Sequence, residues 1–391
     1  MLKNIIRKNM IESKIDACFG SNVESIYRSW NTSIYFYTLS DWRFNVSKED
    51  IFARCLALAS CHFLNTPYKN IPVIDLYGPD GFENSATEIC HYCTADTLNA
   101  ILNKSCLRFT DIRFLNDSTE FIEIIPLIIA VVNNGNYKPD FKDLILNSIE
   151  LRELREYRQS YIGHTKDSHN LKEMAYHTYT CSFSKNSDSL SLWNYYATTS
   201  GGINIVFDFA WNMFKGSSRT QVNTVDKLEN DIMIYRGLVI YQEEDKKKCI
   251  TELLNLLYQI YCDAKDEIEK CRSYILYAFK ESVNHMRCFF KNEHFINEEE
   301  YRVVLKIPEE FLQTEDCCDD IVGKGVFKRG NILIPYVDYK FEKESVKRIT
   351  MNPYVSDKNS IFEMSIENLI WMNKLEDIEI VKSIIPIRKY D

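Results

Sequence analysis

Glycine and proline are scarce in this chain, 12 and 9 among 391 residues. That excludes a collagen-like or linker-rich protein and argues against extended disorder. No GxxxxGK or GxGxxG segment occurs, so neither a P-loop nor a Rossmann cofactor site is supported. No run of five or more Lys/Arg occurs either. The densest basic cluster, Lys246-Lys247-Lys248, directly follows Glu243-Glu244-Asp245 and reads as a solvated helix start. With a formal net charge of -9 the surface is not built mainly for phosphate backbones. A local basic groove remains compatible with that total.

No stretch is long and apolar enough to span a bilayer. Ile122–Val132 is too short, and Glu123 interrupts it. Met1–Lys8 starts basic but has no apolar segment behind it, so the expected location is the cytoplasm. Thirteen cysteines, an odd number, lack the spacing of a secreted disulfide framework. Cys90-His91-Tyr92-Cys93 contains a CxxC, but no second ligand pair exists at zinc-like spacing; Cys317-Cys318 are adjacent. No metal site is expected.

What the chain has in quantity is aromatic residues, 24 Tyr and 22 Phe, in an ordinary globular composition of 45% hydrophobic and 26% charged. The turn signal Gly78-Pro79-Asp80-Gly81 suggests a boundary, with a mostly helical N-terminal extension over 1–85 (Asp50–Leu64, for example) and one domain over 86–391. In that domain, strands are expected at Ile89–Cys93, Leu107–Thr110, Tyr176–Phe183, Ile203–Phe209, Leu238–Tyr241, Glu300–Ile307, Ile332–Tyr336 and Val346–Met351. Helices are expected at Asp96–Leu102 with Thr94 as N-cap, at about 119–134 and 139–163, at Leu190–Ala197, and as one long helix or a pair over 246–290. Short strands and irregular helices without a βαβ rhythm predict an α+β fold.

Few residues stand out chemically. Alternation along a strand would put Glu298, Glu300 and Arg302 on one face. The plain interpretation is an ion-paired edge strand; the functional one is a carboxylate that binds a sugar hydroxyl and stabilises an oxocarbenium-like centre. Ser182 and Ser184 share a strand face and could orient such a carboxylate, or could simply be exposed. Trp193, Tyr196 and Ala197 share a helix face, with Tyr195 beside it; such a stripe is usually core, but a phenol could cover a planar heteroaromatic ring. His91 begins a strand-to-loop element and has no serine or cysteine motif around it.

Together these segments resemble a bacterial family catalogued as domain of unknown function 2971. The resemblance rests on His91-Tyr92, on Leu107–Asp117 with Glu120, on Cys181-Ser182-Phe183-Ser184 and on Asp188-Ser189-Leu190. It continues through Leu192-Trp193, Tyr195-Tyr196-Ala197, Gly202–Asp208, Lys291, Glu298, Glu300-Tyr301-Arg302 and Ser383–Arg388. The layout is in turn similar to the ADP-ribosyltransferase superfamily, which implies a split, mixed or antiparallel sheet with surrounding helices. By that resemblance His91 would bond the adenosine-side ribose, with Tyr92 and Thr94 (or Cys93 in the hydroxyl's place) beside it. Tyr195 or Tyr196 would stack on nicotinamide, and Ser182 and Ser184 would line the site. Glu300 would bind the nicotinamide-ribose 2′-hydroxyl, with Glu298 and Arg302 nearby. Asn116, Asp117 and Glu120 would sit near the acceptor or pyrophosphate. Ser118 stands where the family commonly has proline.

The expectation from this resemblance is NAD-dependent ADP-ribosyl transfer, or NAD glycohydrolysis, with NAD as substrate and an unknown acceptor, in the manner of a toxin or phage-defence effector. The alternatives are a non-catalytic module binding a nucleotide or protein in the same cleft, and a metal-dependent nuclease using Asp111, Asp117, Glu120 and Glu300. On the transferase reading, Glu300→Gln would abolish NAD consumption and change stability by no more than about 1 kcal/mol, as a surface substitution does.

Overall fold

The computed structural model describes residues 55, 88–117, 119–155, 176–197, 201–208, 213–214, 232–264, 268–314, 319–355, 360–375 and 377–387. The extension expected over 1–85 and the boundary near its end lie outside these residues, apart from Cys55, which is helical and buried.

Among the described residues ten strands form one sheet. β1 (Glu88–Thr94), β2 (Cys106–Asp111), β3 (Tyr176–Ser184), β4 (Gly202–Asp208) and β5 (Met233–Leu238) come first. β6 (Glu300–Pro308), β7 (Ile321–Arg329), β8 (Ile332–Lys340), β9 (Val346–Met351) and β10 (Glu379–Lys382) follow. The order is β10-β9-β4-β1-β3-β2-β8-β7, with β6 on the other side of β3 and β5 beyond β6. All pairings are antiparallel except β10 with β9. The fold is therefore α+β with a mixed, mostly antiparallel sheet.

The sheet divides at β3. One edge of β3 pairs with β6 along its whole length, Tyr176↔Pro308 to Ser184↔Glu300. The opposite edge pairs with β2 at Tyr179 and Thr180 and with β1 only at Ser184. Between these contacts β1 and β2 have already parted.

Two layers cover the sheet. On one face Ile89, Cys93, Phe109, Phe183, Ile205, Val303 and Val337 form a core with α1 (Ala95–Lys104). Thr94 caps α1, its Oγ1 accepting from Thr97 N at 3.3 Å. A second, helical core joins α2 (Ile124–Asn134), α3 (Pro139–Leu146), α4 (Ile149–Arg155), α6 (Glu243–Ala264) and α7 (Ile268–Met286), while α5 (Leu190–Tyr196) packs separately beside β1. Apolar residues at helical spacing in α6 (Ile250, Leu253, Leu254, Leu257, Ile260) are buried there. The apolar run at 122–132 thus becomes, from Ile124 on, a helix whose Ile124, Ile125, Ile128 and Val132 are buried. Among the described residues no helix is long and apolar enough to cross a membrane.

Several expectations change. The strand expected at Leu238–Tyr241 lies upstream, at Met233–Leu238, and Ile240 makes only an isolated bridge to Phe290. β7 and the helix α9 (Ser360–Met372) were not foreseen; α8 (Glu309–Gln313) is a single short turn. Residues 119–123 are turns, with Phe121 at φ 71°. Lys246 is not solvated: it is buried, donating to Glu123 at 2.9 Å and to the Lys291 carbonyl at 2.7 Å. β6 is no edge strand, since it lies between β3 and β5.

Candidate functional site: a buried ion cluster under Ser182 and Tyr196

Alternation on β6 sends Tyr301, Val303 and Leu305 into the apolar core and Glu300 and Arg302 to the opposite face. Both are almost fully buried, at 2% and 1% exposure. The Arg302 guanidinium fork holds Glu300 through Nε–Oε1 and Nη2–Oε2, both 2.8 Å. Its Nη2 also donates to Glu120 Oε1 at 2.9 Å, and its Nη1 to the Cys288 carbonyl at 2.7 Å. Lys291 Nζ bridges Glu300 Oε2 (3.0 Å) and Glu298 Oε2 (2.5 Å). On the neighbouring strand Ser182 faces Arg302 in register, and its hydroxyl helps to lower the pKa of the Glu300 carboxyl.

The electrostatics follow from this packing. Burial alone would raise the Glu300 pKa, but Arg302 and Lys291 outweigh it and hold the carboxyl at about 2. Glu120 is moved the other way: burial raises it, Glu300 adds repulsion, and Arg302 offsets only part. One Glu120 oxygen, Oε2, is buried without a hydrogen-bond partner.

Glu298 does not continue the strand. It ends a 3-10 turn, Glu293–Glu298, and Glu299 reverses the chain at φ 42° before β6 begins. This left-handed kink leaves Glu298 on the rim, where Tyr196 donates to its Oε1 at 3.0 Å. Burial, then the charge of Glu298, push the Tyr196 phenol up. Asn116, which partly opposes that rise, accepts from Arg329 Nη1 at 3.0 Å.

The cluster thus unites Ser182, Tyr196, Asn116, Glu120, Glu298, Glu300 and Arg302 from segments far apart in sequence. Other candidates are placed differently. Asp117 pins its own loop: Oδ1 accepts from Thr119 N and Oγ1, and Oδ2 from Asn292 N. Ser184 is buried rather than surface-facing, donating to the Glu298 carbonyl at 2.8 Å and accepting from Asn186 N. Thr94 is occupied as a helix cap. Tyr195 is 76% exposed beside Tyr196. Tyr92 is buried edge-on against Trp193, its hydroxyl donating to the Asn186 carbonyl and accepting from Ser189 N.

His91 is not brought to the Glu300 face. Alternation puts it with Ile89 and Cys93 on the apolar side, 5.7 Å from the Phe183 ring. Its Nδ1 donates to the Ser182 carbonyl at 3.0 Å, so the imidazole fills the gap where β1 and β2 leave β3. Burial lowers its pKa and the Ser182 bond only partly opposes that, leaving a neutral ring protonated at Nδ1. The CxxC is likewise split: Cys93 lies in the apolar core, and Cys90 donates from the other face to the Ser184 carbonyl.

Lys291, Tyr241 and Arg329 were assigned no role from sequence. Tyr241 accepts from Glu300 N at 2.9 Å. Lys291 stood in the family resemblance, but its pairing with two glutamates needs the fold.

The helix carrying Tyr196 is fixed by Asp188. That carboxylate accepts from Trp193 Nε1 (2.7 Å), Ser383 Oγ (2.7 Å) and Ile384 N (2.9 Å), tying helix and C-terminal segment together. Gly202 then passes so close that a Cβ would lie 2.2 Å from the Ala197 carbonyl. Asp188→Ala is expected to cost about 1–3 kcal/mol by stranding these donors and to open residues 383–387 to protease. Equal proteolysis of variant and parent would refute this.

Among the described residues, no group of three or more His, Cys, Asp or Glu is placed to hold a metal ion. The four carboxylates considered for a nuclease are each engaged by donors, Asp111 by Arg113 at 2.9 Å. No curated protein and no solved structure matches the chain. Residues 192–303, from the Tyr196 helix through the Glu300–Arg302 strand, match the family described as protein of unknown function (DUF2971).

Proposed function

We propose that the protein cleaves NAD at the glycosidic bond and transfers ADP-ribose to an acceptor, at the face formed by Ser182, Tyr196, Glu298 and Glu300. The observation that carries this reading is the buried Glu300 carboxylate beside Ser182, which Arg302 and Lys291 keep ionised in a dry setting. A fixed negative charge there stabilises the cation that develops at C1′ as the C1′–N bond breaks and nicotinamide leaves with the electron pair. The acceptor then bonds to C1′ and gives up its proton, for which Glu298 on the rim is the available base. Tyr196 orients Glu298, and the exposed Tyr195 is free to cover the nicotinamide ring. The likeness to ADP-ribosyltransferases is one of layout, and His91, placed on the apolar face, is given no part in the chemistry here. The acceptor would decide whether the activity serves as a toxin or in phage defence.

One observation favours the second reading, a non-catalytic nucleotide- or protein-binding module: Glu300 is already saturated by Arg302 and Lys291. The variants that separate the two are Ser182→Ala and Glu298→Gln, because both side chains lie at the accessible rim. Each is expected to lower nicotinamide release from NAD by roughly a hundredfold, the scale of losing one transition-state contact, with the melting temperature nearly unchanged in Ser182→Ala and lowered in Glu298→Gln, which takes a charge partner from the buried Lys291. NAD-induced stabilisation without nicotinamide release would establish the binding module instead.

A further inference from the structure

We propose that the β7–β8 ribbon binds single-stranded nucleic acid across the face it shares with Ser182 and Glu300. β2 covers β8 only from Tyr336 to Lys340. Beyond that, Ile332–Pro335 pairs with Val326–Arg329 alone, as a two-stranded ribbon projecting past the sheet. Isolated ribbons of this kind are marginal in water.

The side chains of one face suit a flexible strand. The Arg108 guanidinium lies 3.7 Å from the centroid of Tyr336, held there by Asp338 through two bonds of 2.8 and 3.0 Å. Phe327 lies beside this stack, and the Arg329 guanidinium is 5.7 Å from its centroid. Flat rings interleaved with guanidinium groups accept nucleobases of any sequence, and the guanidinium groups also meet phosphates.

The charge agrees. Between Ile321 and Val337 there is no Asp or Glu, in a chain of net charge -9; of the basic residues there, Arg329 shares the face of the stack, while Lys324 and Lys328 lie on the reverse face. Position agrees too. The registers put Arg108 and Tyr336 on the same face as Thr110, Ser182 and Glu300. Arg329 reaches Asn116, which is near enough to Tyr196 to act on its phenol. A strand laid on the stack would therefore lead to Tyr195 and Tyr196 at the rim. An acidic protein surface would use the charges but would leave the flat stack unused. On the transferase reading above, and only on it, the same strand is the acceptor.

The test is anisotropy of short labelled single-stranded DNA and RNA oligonucleotides, without NAD, over a range of salt. Binding that weakens with salt and falls about tenfold in Phe327→Ala and Arg329→Ala is expected, from the loss of one stacked base or one phosphate contact. Preference between DNA and RNA identifies the source of the strand. Absence of binding, or equal binding by parent and variants, overturns the proposal. So does self-association that Val326→Ser and Leu333→Ser abolish while no oligonucleotide binds, because those residues, 57% and 62% exposed, lie on the reverse face. Because no NAD is present, failure of the transferase reading leaves this result untouched. Transfer of label from NAD to a bound oligonucleotide joins the two.

Discussion

Glu300→Gln is expected to destabilise the fold by about 3–5 kcal/mol, the cost of breaking a buried ion pair from one side. This reverses the sequence-based expectation of a near-neutral substitution, which assumed an exposed edge strand. Glu300 is acceptor-only and meets donors on both oxygens: the Arg302 fork and Lys291. A glutamine amide would point an NH2 group at one of these donors and leave two cations with too little compensation. The measurement is equilibrium denaturant unfolding of variant and parent. A loss below about 1 kcal/mol would mean that water reaches the pair as it does at a surface. Glu300→Leu combined with Arg302→Met should recover much of the loss, since matched apolar replacement of a buried pair is often close to neutral. It also follows that lost NAD turnover in Glu300→Gln alone would say little about catalysis. Ser182 and Glu298 are the informative positions.

Stability is expected to fall by several kcal/mol as pH drops from about 4.5 towards 2. Burial would raise both Glu300 and Glu281, but Arg302 and Lys291 around the first, and Lys306 beside the second, bring each from the ordinary 4.5 to about 2. A carboxyl depressed in the folded state stabilises the fold fully above its unfolded pKa. That contribution is lost as the unfolded chain takes up protons first, at about 1.4 kcal/mol per pKa unit for each group. Glu120 acts at higher pH. Its folded pKa is raised, as are those of Glu123, Glu252 and Asp320, so each protonates first in the folded state and its gain in stability is largely complete once pH has fallen to the unfolded value. Below about pH 4.5 the two strongly depressed groups therefore leave a net loss. Denaturant midpoints at pH 7, 5, 4 and 3 would reveal it. In Arg302→Met the Glu300 part should shrink, because that carboxyl loses the larger of the two cations that depress it and keeps only Lys291. An identical acid loss in parent and Arg302→Met would remove Glu300 from the account.

The sequence by itself determined most elements whose local pattern is strong. Thr94 before an amphipathic run predicts a capped helix, and it caps one. Tyr176–Phe183 and Glu300–Ile307 carry strand residues and are strands. The expected long helix or pair over 246–290 is a pair. β7 escaped notice because Gly323 and Gly325 break its apolar alternation, and β5 because Arg236 and Gly237 interrupt it. Such strands are held by their partners more than by their own residues.

The candidate site was legible as residue types in segments and not as contacts. That Glu300 and Arg302 share a face follows from a period of two. That the face is buried does not, because burial comes from β5 and from the chain around Cys288–Lys291 closing over β6. For the same reason His91 and Ser182 read alike in sequence, yet alternation and the registers of β1 and β3 turn their side chains to opposite sides of the sheet. Local pattern sets which way each side chain alternates. Only the long-range pairing of strands sets what each face meets, and with it which charges lose water and must find each other.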